Sequence, residues 1–195
     1  MNTRAIVLFV GASIALPAAA AEEVYVLDPS HSQPQWEAHH IGFSDQRGSF
    51  TKVEGKIALD RAEKKGSVDV NIDATSLRSY NARLDEILKG ERFFNVEKFP
   101  TISFKSNDVK FDGDRVVAIN GELTMVGVTK PVVLAVTKFA CGPNPFNKRP
   151  MCGGVATATI KRSEWGMTSG LQIRNPDDEI NLMLPVEAAL QQPQG

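Results

Sequence analysis

Two runs of this chain alternate so regularly that they leave little choice of fold. In SVDVNIDATSL, Val68, Val70, Ile72 and Ala74 fall on one side, and Asp69, Asn71 and Asp73 on the other. EINLMLPVEAAL repeats the pattern with Ile180, Leu182, Leu184 and Val186. Period two marks a strand with one dry face and one wet face, because successive side chains point to opposite sides. Similar alternation runs through TISFKSNDVKF, VVAINGELTM, PVVLAVTKF and GGVATATIK, with turn-forming DRAEKKGS, FDGDR and MVGVTKP between the runs. Such spacing predicts about eight strands joined by short antiparallel connections, an all-β barrel or sandwich.

One segment breaks the rhythm. SYNARLDEILKGERFFNVEKFP carries Leu84, Ile87 and Leu88 at i, i+3, i+4 spacing, with Asn81 or Ser79 able to cap its start and Gly90 its end. These are the marks of a short amphipathic helix. Phe93, Phe94 and Phe99 follow before Pro100 forces an extended backbone. A helix with an aromatic cluster can roof a barrel, or it can cross over outside a sandwich.

The N-terminus predicts export. Arg4 supplies a positive start, Ala5 to Leu16 an apolar stretch, and LPAAAAEE a small-residue exit. That stretch spans roughly 18 Å as a helix, too short for a hydrocarbon core of about 30 Å. Residues 1–21 are therefore read as a signal peptide cleaved after Ala20 or Ala21, leaving residues 22–195 as one domain. Removing Arg4 takes Lys+Arg from 22 to 21 against 23 acids, a net charge of −2. That balance gives no footing for nucleic acid. Export also favours a disulfide between Cys141 and Cys152, whose intervening GPNPFNKRPM is a turn-rich link between two strand-like runs. Two free buried thiols are the alternative.

The chemistry-bearing residues cluster in QPQWEAHHIGFSDQRGSF. Adjacent residues of a strand face opposite ways, so His39 and His40 are ill placed to share a metal ion, and no metal or cofactor is expected. A nucleophile elbow of the G-x-S-x-G kind is absent, and Asp177 and Asp178 lie in a turn-like RNPDDE. A cavity fits better than an enzyme site. Trp36, Ala38 and His40 share one strand face, read as interior, while Gln35, Glu37 and His39 share the wet one. Phe43 and Phe50 flank SDQRG and bring Arg47 toward the same aromatic zone. A barrel lined by such groups would hold an apolar tail with a polar head. On the plainer reading, His40 is a satisfied interior donor and Arg47 pairs with Asp45 on a turn.

Several motifs are more specific than composition. Leu-Asp-Pro-Ser-His near residue 27, His-x-Gly-Phe, Arg-Gly, Phe-Phe-x-Val-x-x-x-Pro-Thr and Gly-Val-Thr-Lys-Pro occur in order between residues 24 and 188. In these the chain resembles the YceI-like family. The resemblance implies an extended, eight-stranded, antiparallel, lipocalin-like β-barrel with one inserted helix, holding an isoprenoid or fatty-acyl lipid in a tunnel, in the periplasm or secreted. It aligns His40 and Arg47 with the family's strand histidine and arginine, and Trp165 and Arg162 with its Arg-Ser-Asp-Phe-Gly motif. The helix departs from the common pattern: many relatives read Asn-x-x-Arg-Asp-x-His-Leu, where this chain keeps Asn81, Asp85 and Leu88 but has Leu84 and Ile87 for the arginine and histidine. Arg83 is one position early. Expected ligand contacts are thus Trp36, His40, Phe43, Arg47, Phe50, Arg83, Phe93, Phe94 and Trp165, with a head site more apolar than usual. The rival functions are an exported interaction protein without cargo and a small-molecule enzyme; a homodimer is left open.

Overall fold

A computed structural model describes residues 22–172 and 178–192. The predicted signal peptide, residues 1–21, and Asp177 lie outside the described residues. The alternating runs become strands, all paired antiparallel: β1 Glu23–Leu27, β2 Gln35–His40, β3 Ser44–Phe50, β4 Val53–Asp60, β5 Lys65–Asp73, β6 Leu77–Ser79, β7 Thr101–Asp112, β8 Arg115–Met125, β9 Val128–Pro143, β10 Pro150–Lys161 and β11 Glu179–Leu190. The one α-helix among the described residues, α1, spans Ala82–Lys89.

Strands β1, β4, β5, β7, β8, β9, β10 and β11 form a ring of eight, closed where β1 pairs with β11. Three of its members are broken lanes. Strand β11 pairs with β1 at Ala188–Leu190 and with β2 at Ile180–Met183, so β1 and β2 share one edge as the two halves of a single long strand. In the same way β3 continues into β4, and β5 into β6. Eleven strand segments thus occupy eight lanes, as the sequence pattern predicts.

The break between β1 and β2 explains the Asp-Pro-Ser-His-Ser run. Asp28 accepts from the amide and hydroxyl of Ser30 at 2.9 and 2.6 Å, and meets His31 Nδ1 at 2.7 Å. Ser32, 2% exposed, donates its hydroxyl to Glu187 O and accepts from Glu187 N, each at 3.0 Å. A buried hydroxyl costs stability unless its hydrogen bonds are made. Here they tie the kink to β11, so the strand can change direction without leaving the sheet.

Inside the ring, alternation delivers Val68, Val70 and Ile72 from β5, Phe104 from β7, Leu123 from β8 and Leu134 from β9 to one continuous core. Strand β7 carries a bulge between Lys105 and Asp108, after which Val109, not an even-numbered neighbour, is buried. The hydroxyl of Ser106 bridges the irregularity, donating to Asn120 O at 2.6 Å and accepting from Asp108 N at 3.0 Å. Near the barrel's lower end Cys141 and Cys152 are register partners on β9 and β10 and are joined by a disulfide. No helix among the described residues is long and apolar enough to cross a membrane.

Candidate functional site: an apolar barrel cavity

Helix α1 sits where β6 ends and β7 has yet to begin. Asn81 caps it, its side-chain oxygen accepting from the amides of Arg83 and Leu84 at 3.0 and 3.3 Å. Asp85, nine-tenths buried, accepts from the amide and hydroxyl of Ser79, each at 2.7 Å, and so fastens the helix to β6. This turns Leu84, Ile87 and Leu88 toward the barrel interior. Below them lies a cavity of about 530 Å³.

Its wall is hydrocarbon over most of its extent: Trp36, Phe50, Phe93 and Phe94 above, Ile72, Phe104 and Leu134 across from Ile180, Leu182 and Leu184. The rings of Phe50 and Phe94 meet edge to face at 5.5 Å. Deeper in the barrel, Ile57, Val68, Ile119, Ala156 and Val186 also line a narrow lobe of about 70 Å³, which runs toward Tyr25, Phe139 and Cys152. The space is therefore long and tapered. Polar groups gather toward the rim: His39, His40, Gln46, Ser169 and Arg162. Among the described residues no carboxylate lines the cavity.

Of the nine ligand contacts expected from sequence, five line this cavity: Trp36, His40, Phe50, Phe93 and Phe94. Trp36 lies over Gly48, its register partner, where an added Cβ would sit 2.4 Å from the indole Cζ2. Only a residue without a side chain leaves room for that ring. The indole N–H is buried and has no hydrogen-bond partner among the described residues.

Four others stand elsewhere. Phe43 is 88% exposed in the turn between β2 and β3. Arg47 points to the outer surface, where it faces Glu37 in the register and bonds its carboxylate through Nε at 2.7 Å and Nη2 at 2.6 Å. Strand parity accounts for this: Gln46 and Phe50 face inward, so Arg47 between them must face out. That signal was present in the sequence. Arg83 is exposed on α1, outside the cavity lining. Trp165, 1% exposed, is a wall residue whose indole N–H donates to Leu123 O at 3.2 Å.

Two groups take on more weight than their place in the sequence suggested. Arg162, in the turn Arg162–Trp165, borders the cavity, donates to Met167 O and holds its guanidinium 5.7 Å from the Phe93 ring centre. Gln46 faces the cavity beside Ala38. His39 reaches Asp45 on the wet face at 2.9 Å, although the residue also borders the cavity. Three further ligand-type side chains, Asp28, His31 and Glu187, come within 4.8 Å of one another at the β1–β2 kink, but none of them lines the cavity. Asp178, the described member of the sequence's carboxylate pair, accepts from the amide and hydroxyl of Ser163 at 2.9 and 2.8 Å and so holds the turn that carries Arg162.

A closed antiparallel ring of eight with a roofing helix and a deep apolar chamber is the architecture of the lipocalin-like barrels. The match can be narrowed further. The YceI-like domain model matches residues 25–188, and the chain belongs to that family. A UPF0312 protein of Shewanella denitrificans is 32% identical over 170 residues, 86% of each chain. BcnA of Burkholderia cenocepacia shares the fold at a TM-score of 0.68 and 22% identity, over 83% of this chain and 99% of its own. A polyisoprenoid binding domain from Saccharophagus degradans shares it at a TM-score of 0.62 and 13% identity, over 86% and 98%.

Proposed function

We propose that this protein is an exported binding protein whose single domain, residues 22–195, carries one elongated apolar molecule in the barrel: a polyisoprenoid, quinone or fatty-acyl lipid. The observation that carries this reading is the tapered chamber of about 530 Å³ with hydrocarbon walls and a polar rim. Its size suits a lipid-sized ligand, and a wall of this kind gains by being covered. The polyisoprenoid-binding description of the Saccharophagus neighbour points the same way. Export is supported by the N-terminal pattern and by the disulfide, since such bridges persist in oxidising compartments.

An uncharged head is favoured over a diphosphate. Leu84 and Ile87, which stand where the common family pattern has arginine and histidine, both border the cavity, and Arg47 is engaged by Glu37 on the far side of the wall. The acceptor-seeking indole N–H of Trp36 and the rim groups His40 and Gln46 suit a hydroxyl, carbonyl or ester.

Native mass spectrometry of freshly purified protein tests the reading directly: one bound lipid per chain is expected, and its mass identifies it. In a series of alcohols, fatty acids and prenyl lipids, each added methylene should strengthen binding by up to about 0.8 kcal/mol until the space is full. Trp36→Ala or Phe94→Ala should weaken every member, whereas Arg47→Ala should leave all affinities unchanged. A chain that carries no lipid and shows no dependence on ligand length is an interaction protein instead.

A further inference from the structure

The entrance to the cavity is marked by side chains that are both lining and exposed. Ile41, at the tip of the β2–β3 hairpin, is 44% exposed, and Ile87 of α1 is 45% exposed; both border the chamber. The opening therefore lies between hairpin tip and helix. Beside Ile41 stands Phe43, 88% exposed and outside the cavity lining. Two exposed aliphatic side chains thus border the mouth, and an exposed phenylalanine stands next to it in the same turn.

The backbone of the tip adds a second observation. Ile41 and Gly42 have φ of 45° and 81°, and Phe43 N donates to His40 O at 3.0 Å. This is a tight turn within the three-residue connection 41–43, with left-handed backbone at both of its central positions, where asparagine, aspartate and glycine are the usual occupants. A β-branched residue there is strained, and such strain concentrates where a segment has work beyond folding. An Asn-Gly turn would relieve it and would take the apolar side chain off the rim.

We propose that this rim is a membrane-docking element: Phe43 and Ile41 enter the acyl edge of a lipid bilayer, and the cargo passes between hairpin and helix without crossing water. The proposal rests on the lipid reading above for its cargo, but docking itself does not. A bilayer is the occupant because the exposed groups are continuous with the chamber. An apolar molecule that fills the chamber has to leave a lipid phase through this opening, and the exposed aromatic and aliphatic groups are contiguous with the route. The neighbouring polar groups are paired with one another, His39 with Asp45 and Arg47 with Glu37, and leave no basic patch at the tip. Docking is therefore driven by apolar insertion, and zwitterionic lipid suffices.

The test uses the mature chain and phosphatidylcholine vesicles, some carrying a pyrene-labelled long-chain alcohol. The wild type is expected to float with the vesicles. Phe43→Ser should lower partitioning roughly tenfold or more, as loss of one buried aromatic requires, while Phe43→Trp retains it. Phe146→Ser, which alters a 93% exposed phenylalanine in the β9–β10 loop at the opposite end, should partition like the wild type. Phe43→Ser should also slow uptake of the probe from vesicles by a similar factor, yet bind the same probe as tightly when it is added from ethanol. A wild type that does not float, or a Phe43→Ser protein indistinguishable from Phe146→Ser, overturns the proposal. A wild type that floats in a Phe43-dependent manner but takes up no probe from either source overturns the cargo reading and leaves docking standing.

Discussion

Asp28 and His31 show how single groups hold a bend that the barrel needs. The carboxyl of Asp28 is lowered to about 2, first by the Ser30 hydroxyl, then by His31 and the Ser30 amide. His31 is raised above its ordinary 6.5, chiefly by its hydrogen bond to the same carboxylate. Because the folded value of Asp28 is depressed, its contribution is present above 3.8 and is lost as pH falls toward 2. Because the folded value of His31 is elevated, its contribution is full below 6.5 and fades as pH rises through the elevated value. The turn is therefore best held between about 4 and 6.5. Asp28→Asn should move the His31 titration, followed by its imidazole NMR signals, down toward 6.5. An unmoved midpoint would mean that Asp28 is not the partner that matters.

Among the elements, the short helix α1 carries the roof of the cavity. Eight residues make a marginal helix by themselves, so its cap, its tie to β6 and its apolar face carry it. Removing the cap with Asn81→Ala should cost about 1 kcal/mol, read as a lower urea midpoint at unchanged slope. Amide exchange should quicken first within residues 82–89, before the strands, because the helix can open without breaking the ring. Uniform quickening across the sheet would instead make the helix part of the global core. Its residues have distinct duties: Asn81 caps, Asp85 anchors and Leu88 lines the cavity.

For the whole molecule, the ring is closed by backbone pairing between β1 and β11, and the disulfide only secures one end of it. Cys141 and Cys152 are already register partners, and the ladder continues past them to Pro143 and Pro150. A bridge with a sequence separation of 11 restricts mainly the unfolded chain, by about 3 kcal/mol on the chain-entropy account. Reduction should lower the free energy of unfolding by that amount, read as a lower denaturant midpoint, while leaving the far-ultraviolet circular dichroism and the cavity's ligand capacity unchanged. Loss of strand signal on reduction would show that the bridge, not the ladder, holds the lower end together.

Much of this was written locally. Alternation alone assigned Val68, Val70 and Ile72, and likewise Ile180, Leu182 and Leu184, to an interior face, because the side-chain period of a strand is fixed by backbone geometry. The helix was equally legible, its cap narrowed to Asn81 or Ser79 and the Cys141–Cys152 pairing favoured over free thiols, since each depends on residues close in the chain. The outward turn of Arg47 was legible too, by counting from Phe50, but its motif drew it toward the cavity. What the sequence by itself could not supply was long-range. That β11 receives β1 on its lower half and β2 on its upper half is decided by hydrogen bonds between segments more than 140 residues apart. The bulge that moves Val109 inward on β7 depends on how β8 pairs with it. Which polar groups end at the mouth depends on where the lanes stop and the helix begins. Periodicity states which face is dry; only closure of the ring decides what that face encloses.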